Sequence, residues 1–238
     1  MIQTTNKKLG IIGGLGPSAS AFFYHRITAH TEASCDQEHL DIILLSHATL
    51  PDRTACIQSG DDREIVRLLR EDLQTLERLG ASNVAIPCNT SHFFLDKIQD
   101  AVSIPVINMI HESVLAAARQ FPSCRKVGIM ATDGTINTGL YHKECERFHL
   151  EPVSPSAERQ KDVMSLIYED IKHGTEPDTS KFERVMNEFC DRQCDVVILA
   201  CTELSIFAET HSVPDICLDA MDVLVRESIT RSGAKYQA

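Results

Sequence analysis

The sequence predicts an α/β protein made of two similar, pseudo-symmetric α/β domains with mainly parallel sheets and a site in the cleft between them. Three observations carry that prediction. Two short apolar, β-branched runs, Asn83-Val84-Ala85-Ile86 and Asp195-Val196-Val197-Ile198-Leu199, have the pattern of strands buried on both faces of a parallel sheet. Each runs into a cysteine followed by polar side chains and then by apolar residues at helical spacing, as Pro87-Cys88-Asn89-Thr90 and as Ala200-Cys201-Thr202-Glu203. The surroundings also repeat in kind: Lys8-Leu9-Gly10-Ile11-Ile12 matches Lys126-Val127-Gly128-Ile129-Met130, and Gly10 lies 78 positions before Cys88 while Gly128 lies 73 before Cys201. A duplication of this kind predicts a first domain of residues 1–108 plus 215–238 and a second of residues 109–214.

The elements follow in order. Gly10-Ile11-Ile12-Gly13-Gly14-Leu15-Gly16-Pro17 reads as a strand, a glycine turn and a helix opened by proline. Its Gly14-x-Gly16-x-x-Ala19 imitates a dinucleotide fingerprint. The acidic residue that should end the second strand is out of place, however, because Glu32 and Asp36 precede the strand at residues 41–45, so a turn facing a small anionic ligand is favoured. The loop after that strand carries Arg53, whose planar fork of donors suits a carboxylate. Residues 62–79 form an amphipathic helix ended by Gly80, residues 91–102 a helix, 104–109 a strand and 112–120 a helix. In the second half a hydroxyl-rich loop at 131–139 can lend hydrogen bonds to a ligand. Helices are then expected at 141–148, from Gln160 to about Lys172, and at 181–192, with a short extended segment at 153–155. A proline-marked strand, Val213-Pro214-Asp215-Ile216-Cys217-Leu218-Asp219, is the counterpart of Ile104-Pro105-Val106-Ile107. It is expected to return to the first domain before the final helix at 221–231.

Composition narrows the classes of function. A chain of 238 residues with 43% hydrophobic and 24% charged content suits a globular protein, and a formal charge of −11 argues against nucleic acid or an anionic membrane surface as partner. No run approaches the ~18 apolar residues of a membrane span, and the opening residues lack a leader's apolar core. Nine cysteines with no disulfide-like spacing indicate free thiols in a reducing, cytoplasmic setting. The pairs Cys35/His39, Cys88/His92 and His142/Cys145 do not make a four-ligand metal set, so no metal is expected.

Open α/β sheets bind ligands beyond the carboxyl ends of their strands, where both Cys88 and Cys201 lie. Two such thiols suit inversion at an α-carbon: a thiolate removes the proton from one face while a thiol supplies one to the other. An ordinary cysteine pKa near ~8.5 allows modest tuning to hold one of each.

At these residues the sequence resembles the aspartate/glutamate racemase superfamily, and within it the cofactor-independent aspartate racemases. The likeness rests on Gly13-Gly14-Leu15-Gly16-Pro17, Asp36-Gln37-Glu38-His39, Pro51-Asp52-Arg53-Thr54, Pro87-Cys88-Asn89-Thr90, Gln160-Lys161-Asp162-Val163-Met164, Cys201-Thr202-Glu203 and Met221-Asp222, and spans nearly the whole chain. It implies a racemase that interconverts L- and D-aspartate without pyridoxal phosphate, metal or other cofactor, as a homodimer. It makes Cys88 and Cys201 the catalytic residues. Arg53 and Lys161 become grips for a dicarboxylic amino acid, with Leu15, Asn89, Thr90, Ser91, Thr202 and Glu203 as further substrate contacts. Glu203 stands where glutamate racemases usually carry histidine, which points to the aspartate branch. Ala200 and Ala220 depart from the glycine and proline common in the family. The alternatives are a glutamate or broad-specificity amino-acid racemase and, from another class, a non-catalytic binder of a small acidic metabolite. Decarboxylase and maleate isomerase relatives are disfavoured by the second thiol and by the Arg53 and Lys161 pair.

Overall fold

The computed structural model describes residues 7–238. The stretch 1–6, on which most of the leader reading rests, lies outside the described residues. The first half runs β1 (Leu9–Gly13), α1 (Pro17–His30), β2 (Ile42–Ser46), α2 (Arg53–Ser59), α3 (Arg63–Arg78), β3 (Asn83–Ala85), a short helix α4 (Leu95–Ile98) between 3₁₀ turns, and α5 (Met109–Gln120). The second runs β4 (Lys126–Met130), α6 (Asp133–Thr138), α7 (Leu140–Arg147), β5 (Glu151–Val153), α8 (Ala157–Ser165), a π-helical turn (Leu166–Ile171), α9 (Thr179–Asp191), β6 (Val196–Leu199), α10 (Thr202–Thr210), β7 (Cys217–Asp219) and α11 (Ala220–Arg231).

Every named strand pair is parallel, and the two sheets have the same order, β2-β1-β3 and β5-β4-β6-β7. The predicted strand at 104–109 contracts to a parallel bridge between Val106 and Val84 on the free side of β3, with Ile107 N–H donating to Val84 O at 2.8 Å. It therefore occupies the place in the first sheet that β7 occupies in the second. This corrects one expectation: the strand before the last helix does not return to the first sheet but pairs with β6. The reason is length. Only a short loop separates α10 from β7, enough to return beside β6, where Val197 N–H donates to Ile216 O at 2.8 Å. What reaches back is the end of helix α11, where Asn83 Nδ2 donates to Ser232 Oγ at 3.2 Å.

The period of two along each strand divides the core into layers. Leu9 and Ile11 of β1 join Val127 and Ile129 of β4 and Val196 and Ile198 of β6 in a central core with α1, α5, α7 and α11. Residues of opposite parity face outward: Ile12 packs under α3, and Met130, Val197 and Leu199 pack under α8 and α9. The α3 stripe of Ile65, Leu69, Leu73 and Leu76 is fully buried, and the helix closes at Gly80 with φ +85°, where Ala81 N–H reaches Leu76 O at 3.0 Å. Gly14, at φ +86°, is obligatory for a second reason, because a Cβ there would lie 2.4 Å from the His47 carbonyl carbon. This turn brings the ends of β1 and β2 together at the mouth of the cleft. No helix among the described residues is long and apolar enough to cross a membrane.

Candidate active site

The carboxyl ends of β1, β3, β4 and β6 converge on one cavity with an empty volume of about 320 Å³, lined by residues of both halves. Leu15 comes from the β1–α1 turn, Asp52, Arg53 and Thr54 from the start of α2, and Cys88, Asn89 and Thr90 from the segment after β3. The second half supplies Thr132 at the start of α6, Tyr168 and Lys172 from the π turn and its end, and Cys201, Thr202 and Glu203 from the start of α10.

The two cysteines occupy equivalent positions but unequal surroundings. Both are nearly closed off, at 8% exposure for Cys88 and 7% for Cys201. The Arg53 guanidinium donates to Leu15 O at 3.1 Å and Pro51 O at 3.2 Å, and it shares the cavity with Cys88, near enough for their charges to interact. Burial works to lower the Arg53 pKa, but the Cys88 sulfur and the Asp52 carboxylate together hold it above its ordinary value. Cys201 caps α10 and meets an acid instead: its Sγ donates to Glu203 Oε2 at 2.9 Å. Burial first, then the charge and hydrogen bond of Glu203, push the Cys201 thiol well up, and Lys172 partly opposes this. Lys172 Nζ stands 3.8 Å from Glu203 Oε1 and 4.1 Å from the Tyr168 ring centroid. Burial works to lower the Lys172 pKa, and the charges of Glu203 and Cys201 outweigh it and raise it.

Contacts between the halves form the rest of the site. Thr90 Oγ1 meets Thr132 Oγ1 at 3.2 Å and Thr135 Oγ1 at 2.9 Å. At Gly134 a Cβ would stand 2.6 Å from Thr54 Oγ1, so only glycine lets α6 approach α2 this closely. Behind Cys88, the buried His92 ring has Nδ1 at 3.0 Å from Cys88 O, and its Nε2 accepts from Met109 N–H at 3.1 Å. The Met109 N–H contact favours a neutral imidazole with its proton on Nδ1, although Nε2 also lies 3.3 Å from Ile107 O. Burial is the main cause of the lowered His92 pKa.

Eight of the ten residues singled out in the sequence meet at this cavity: Leu15, Arg53, Cys88, Asn89, Thr90, Cys201, Thr202 and Glu203. Ser91 is fully buried next to them but does not line the space. Lys161 is exposed on α8, away from the lining, and Lys172 supplies the second cation. The two lysines are eleven positions apart, close to three turns of an α-helix, so a continuous helix would give them one face. The π turn between them breaks that phase and brings Tyr168 and Lys172 to the cavity. Asp52, Thr54 and Tyr168 carried no separate signal in the sequence, whereas Thr132 lies on the hydroxyl-rich loop singled out as a hydrogen-bond source.

Fold and cavity together define a class, that of two-lobed α/β proteins that close a small polar site between facing sheet ends and present it with a cysteine from each lobe. The family model described as Asp/Glu/Hydantoin racemase matches residues 12–228, and the chain belongs to that family. It is an isomerase, an amino-acid racemase. Among solved structures it is similar to an aspartate racemase of Picrophilus torridus, at 25% identity and a TM-score of 0.83 over 97% of this chain and 96% of that one. Among characterised relatives it is similar to a broad specificity amino-acid racemase of Bacillus subtilis, at 24% identity over 97% of this chain and 100% of that protein. A glutamate racemase of Pediococcus pentosaceus is 30% identical over 61% of this chain and 54% of its own length.

Proposed function

We propose that the chain interconverts L- and D-aspartate without a cofactor, with Cys88 and Cys201 as proton carriers on opposite faces of the α-carbon. The observation that carries this reading is that both thiols open on one cavity flanked by two cations, Arg53 and Lys172. In one direction the Cys88 thiolate takes the α-proton, and the electron pair of the broken C–H bond spreads into the α-carboxylate. Cys201 S–H then protonates the other face and is left as thiolate. Arg53 beside Cys88 offsets negative charge on that sulfur, and Glu203 keeps Cys201 protonated until the carbanion forms. Arg53 and Lys172 receive the carboxylates, and Asn89, Thr90 and Thr202 supply neutral hydrogen bonds. A polar cavity flanked by two cations suits a dicarboxylate, and the likeness to an aspartate racemase structure supports aspartate as the substrate.

A broad specificity is the second reading. A wider cavity of about 670 Å³ adjoins the first through Arg53, Lys172 and Glu203, and its Ile171 and Ile206 could accept an apolar side chain. The relative named for broad specificity favours the same possibility. The test is α-deuterium exchange in D2O with L-aspartate, L-glutamate and a set of apolar amino acids, followed by chiral chromatography. Racemisation of aspartate alone, lost in Cys88→Ser and in Cys201→Ser, supports the first reading, and turnover of apolar substrates the second. No exchange with any of them refutes both.

The assembly is read as a homodimer, supported by exposed Leu44 on the edge strand β2 and exposed Tyr24 on α1. Light scattering at micromolar concentration tests it. The nine free thiols suit a cytoplasmic setting.

A further inference from the structure

We infer that Tyr141 is a positioning residue for the reactive cavity: it turns the Asn89 side-chain amide so that its N–H groups, not its oxygen, face the substrate, and a carboxylate is received there. This rests on the racemase reading above and adds to it the direction in which the substrate lies. Tyr141 comes from α7 in the second half and is 1% exposed, while Asn89 follows Cys88 in the first half and is 3% exposed. Tyr141 Oη donates to Asn89 Oδ1 at 2.6 Å. That spacing belongs to O–H···O bonds, which centre near ~2.7–2.8 Å, and is short for N–H···O bonds, which centre near ~2.9–3.0 Å. The phenol therefore meets the amide oxygen.

The other end of the amide is left over. Asn89 Nδ2 is buried and has no hydrogen-bond partner among the described residues, although Asn89 lines the cavity. An amide with its oxygen committed to Tyr141 offers only donors, and donors accept a carboxylate and reject an ammonium group. The substrate's ammonium then falls to the acidic side of the same cavity, formed by Asp52 and Glu203. Burial pushes the Tyr141 hydroxyl far above its usual pKa, so it stays protonated throughout the working range.

The test is a double-mutant cycle with Tyr141→Phe, Asn89→Ala and both together. It is read by kcat and KM for aspartate and by the Kd of succinate, which has both carboxylates and no amine. Tyr141→Phe is expected to raise KM and the succinate Kd about tenfold, to change kcat much less, and to have no further effect in the Asn89→Ala background. Additive effects overturn the inference, as does a wild type that does not bind succinate. Asn89→Asp is the second variant, because it keeps the acceptor for Tyr141 but presents an oxygen to the cavity. It is expected to bind succinate more weakly than Asn89→Ala, and binding as tight as wild type overturns the inference whatever Tyr141→Phe does to folding. Turnover by the wild type tests the racemase reading, and succinate binding tests the Tyr141 role with or without turnover.

Discussion

Lys172→Met and Lys161→Met make a matched pair that separates the structural assignment of the second cation from the one implied by the family resemblance. Lys172 Nζ lies 3.8 Å from Glu203 Oε1 with its side chain 27% exposed, so its charge acts where water screens it poorly. A charge-assisted hydrogen bond to a substrate carboxylate at such a place contributes about 1.5–3 kcal/mol, and each ~1.4 kcal/mol is tenfold in rate. Lys172→Met is therefore expected to lower kcat/KM for the preferred dicarboxylic substrate by about 10- to 100-fold. A second consequence comes from the same geometry. With Lys172 gone, the opposing charge beside Glu203 is lost, the Cys201 thiol is pushed higher still, and the alkaline limb of the pH–rate profile moves to higher pH. Lys161 is exposed on α8, and its loss should cost within about 0.5 kcal/mol, or roughly twofold. The assay is initial-rate racemisation across pH, with thermal unfolding to confirm that both variants fold. A Lys161→Met loss as large as that of Lys172→Met would refute the reasoning.

Glu203→Gln removes the charge that helps to raise the Cys201 pKa but leaves the burial. The alkaline limb of kcat/KM, set by loss of the Cys201 proton, should therefore move to lower pH, opposite to the shift in Lys172→Met. Asp219 is pushed up to about 7, by burial first and then by the charge of Asp222. Its unfolded value is lower, so between about pH 4 and 7 the folded state holds a proton that the unfolded state has lost, and stability falls as pH rises through that window, by about 2–4 kcal/mol. Asp219→Asn keeps the acceptor for Ser205 and Met221 N–H, so urea unfolding should find it gaining on wild type between pH 5 and 8. Gly14→Ala should lose about 2 kcal/mol or more, read as a fall in Tm, because φ +86° and the close His47 backbone oppose any side chain.

What was legible in the sequence was whatever local pattern controls. The buried runs before Cys88 and Cys201 read as parallel strands whose ends meet at one edge, which placed the two cysteines, whereas Asn89, Thr202, Glu203 and the role of Arg53 came from the resemblance of their motifs to a known family. Helices α2 and α6 read as loops because Asp133-Gly134-Thr135-Ile136-Asn137-Thr138 is poor in helix formers. It is held as a helix by the Thr132 cap and by packing of α6 on α2 across the halves. Lys172 escaped notice because a π turn has no signature in hydrophobic spacing. The misplaced strand has a different origin: the duplication itself implied that 213–219 should add to its own sheet, as 104–107 does, and that symmetry was the better guide to its partner.

The same near-symmetry explains why the two thiols are not interchangeable. Equivalent positions after β3 and β6 bring two sulfurs to one cavity, as the proposed two-thiol inversion requires. The residues next to them break the equivalence. Arg53, reaching over from the start of α2, puts a cation against Cys88, whereas α10 puts Glu203 against Cys201 in its own first turn. A site with two cations on two sulfurs would favour two thiolates and lack the acid, and one with two carboxylates would favour two thiols and lack the base. With one of each, the two sulfurs have different surroundings, so the two directions of the proposed reaction start from unequal partners. In the proposed cycle, return from the product form requires a proton to move back to Cys201, and Glu203, 2.9 Å from that sulfur, is the group placed to carry it.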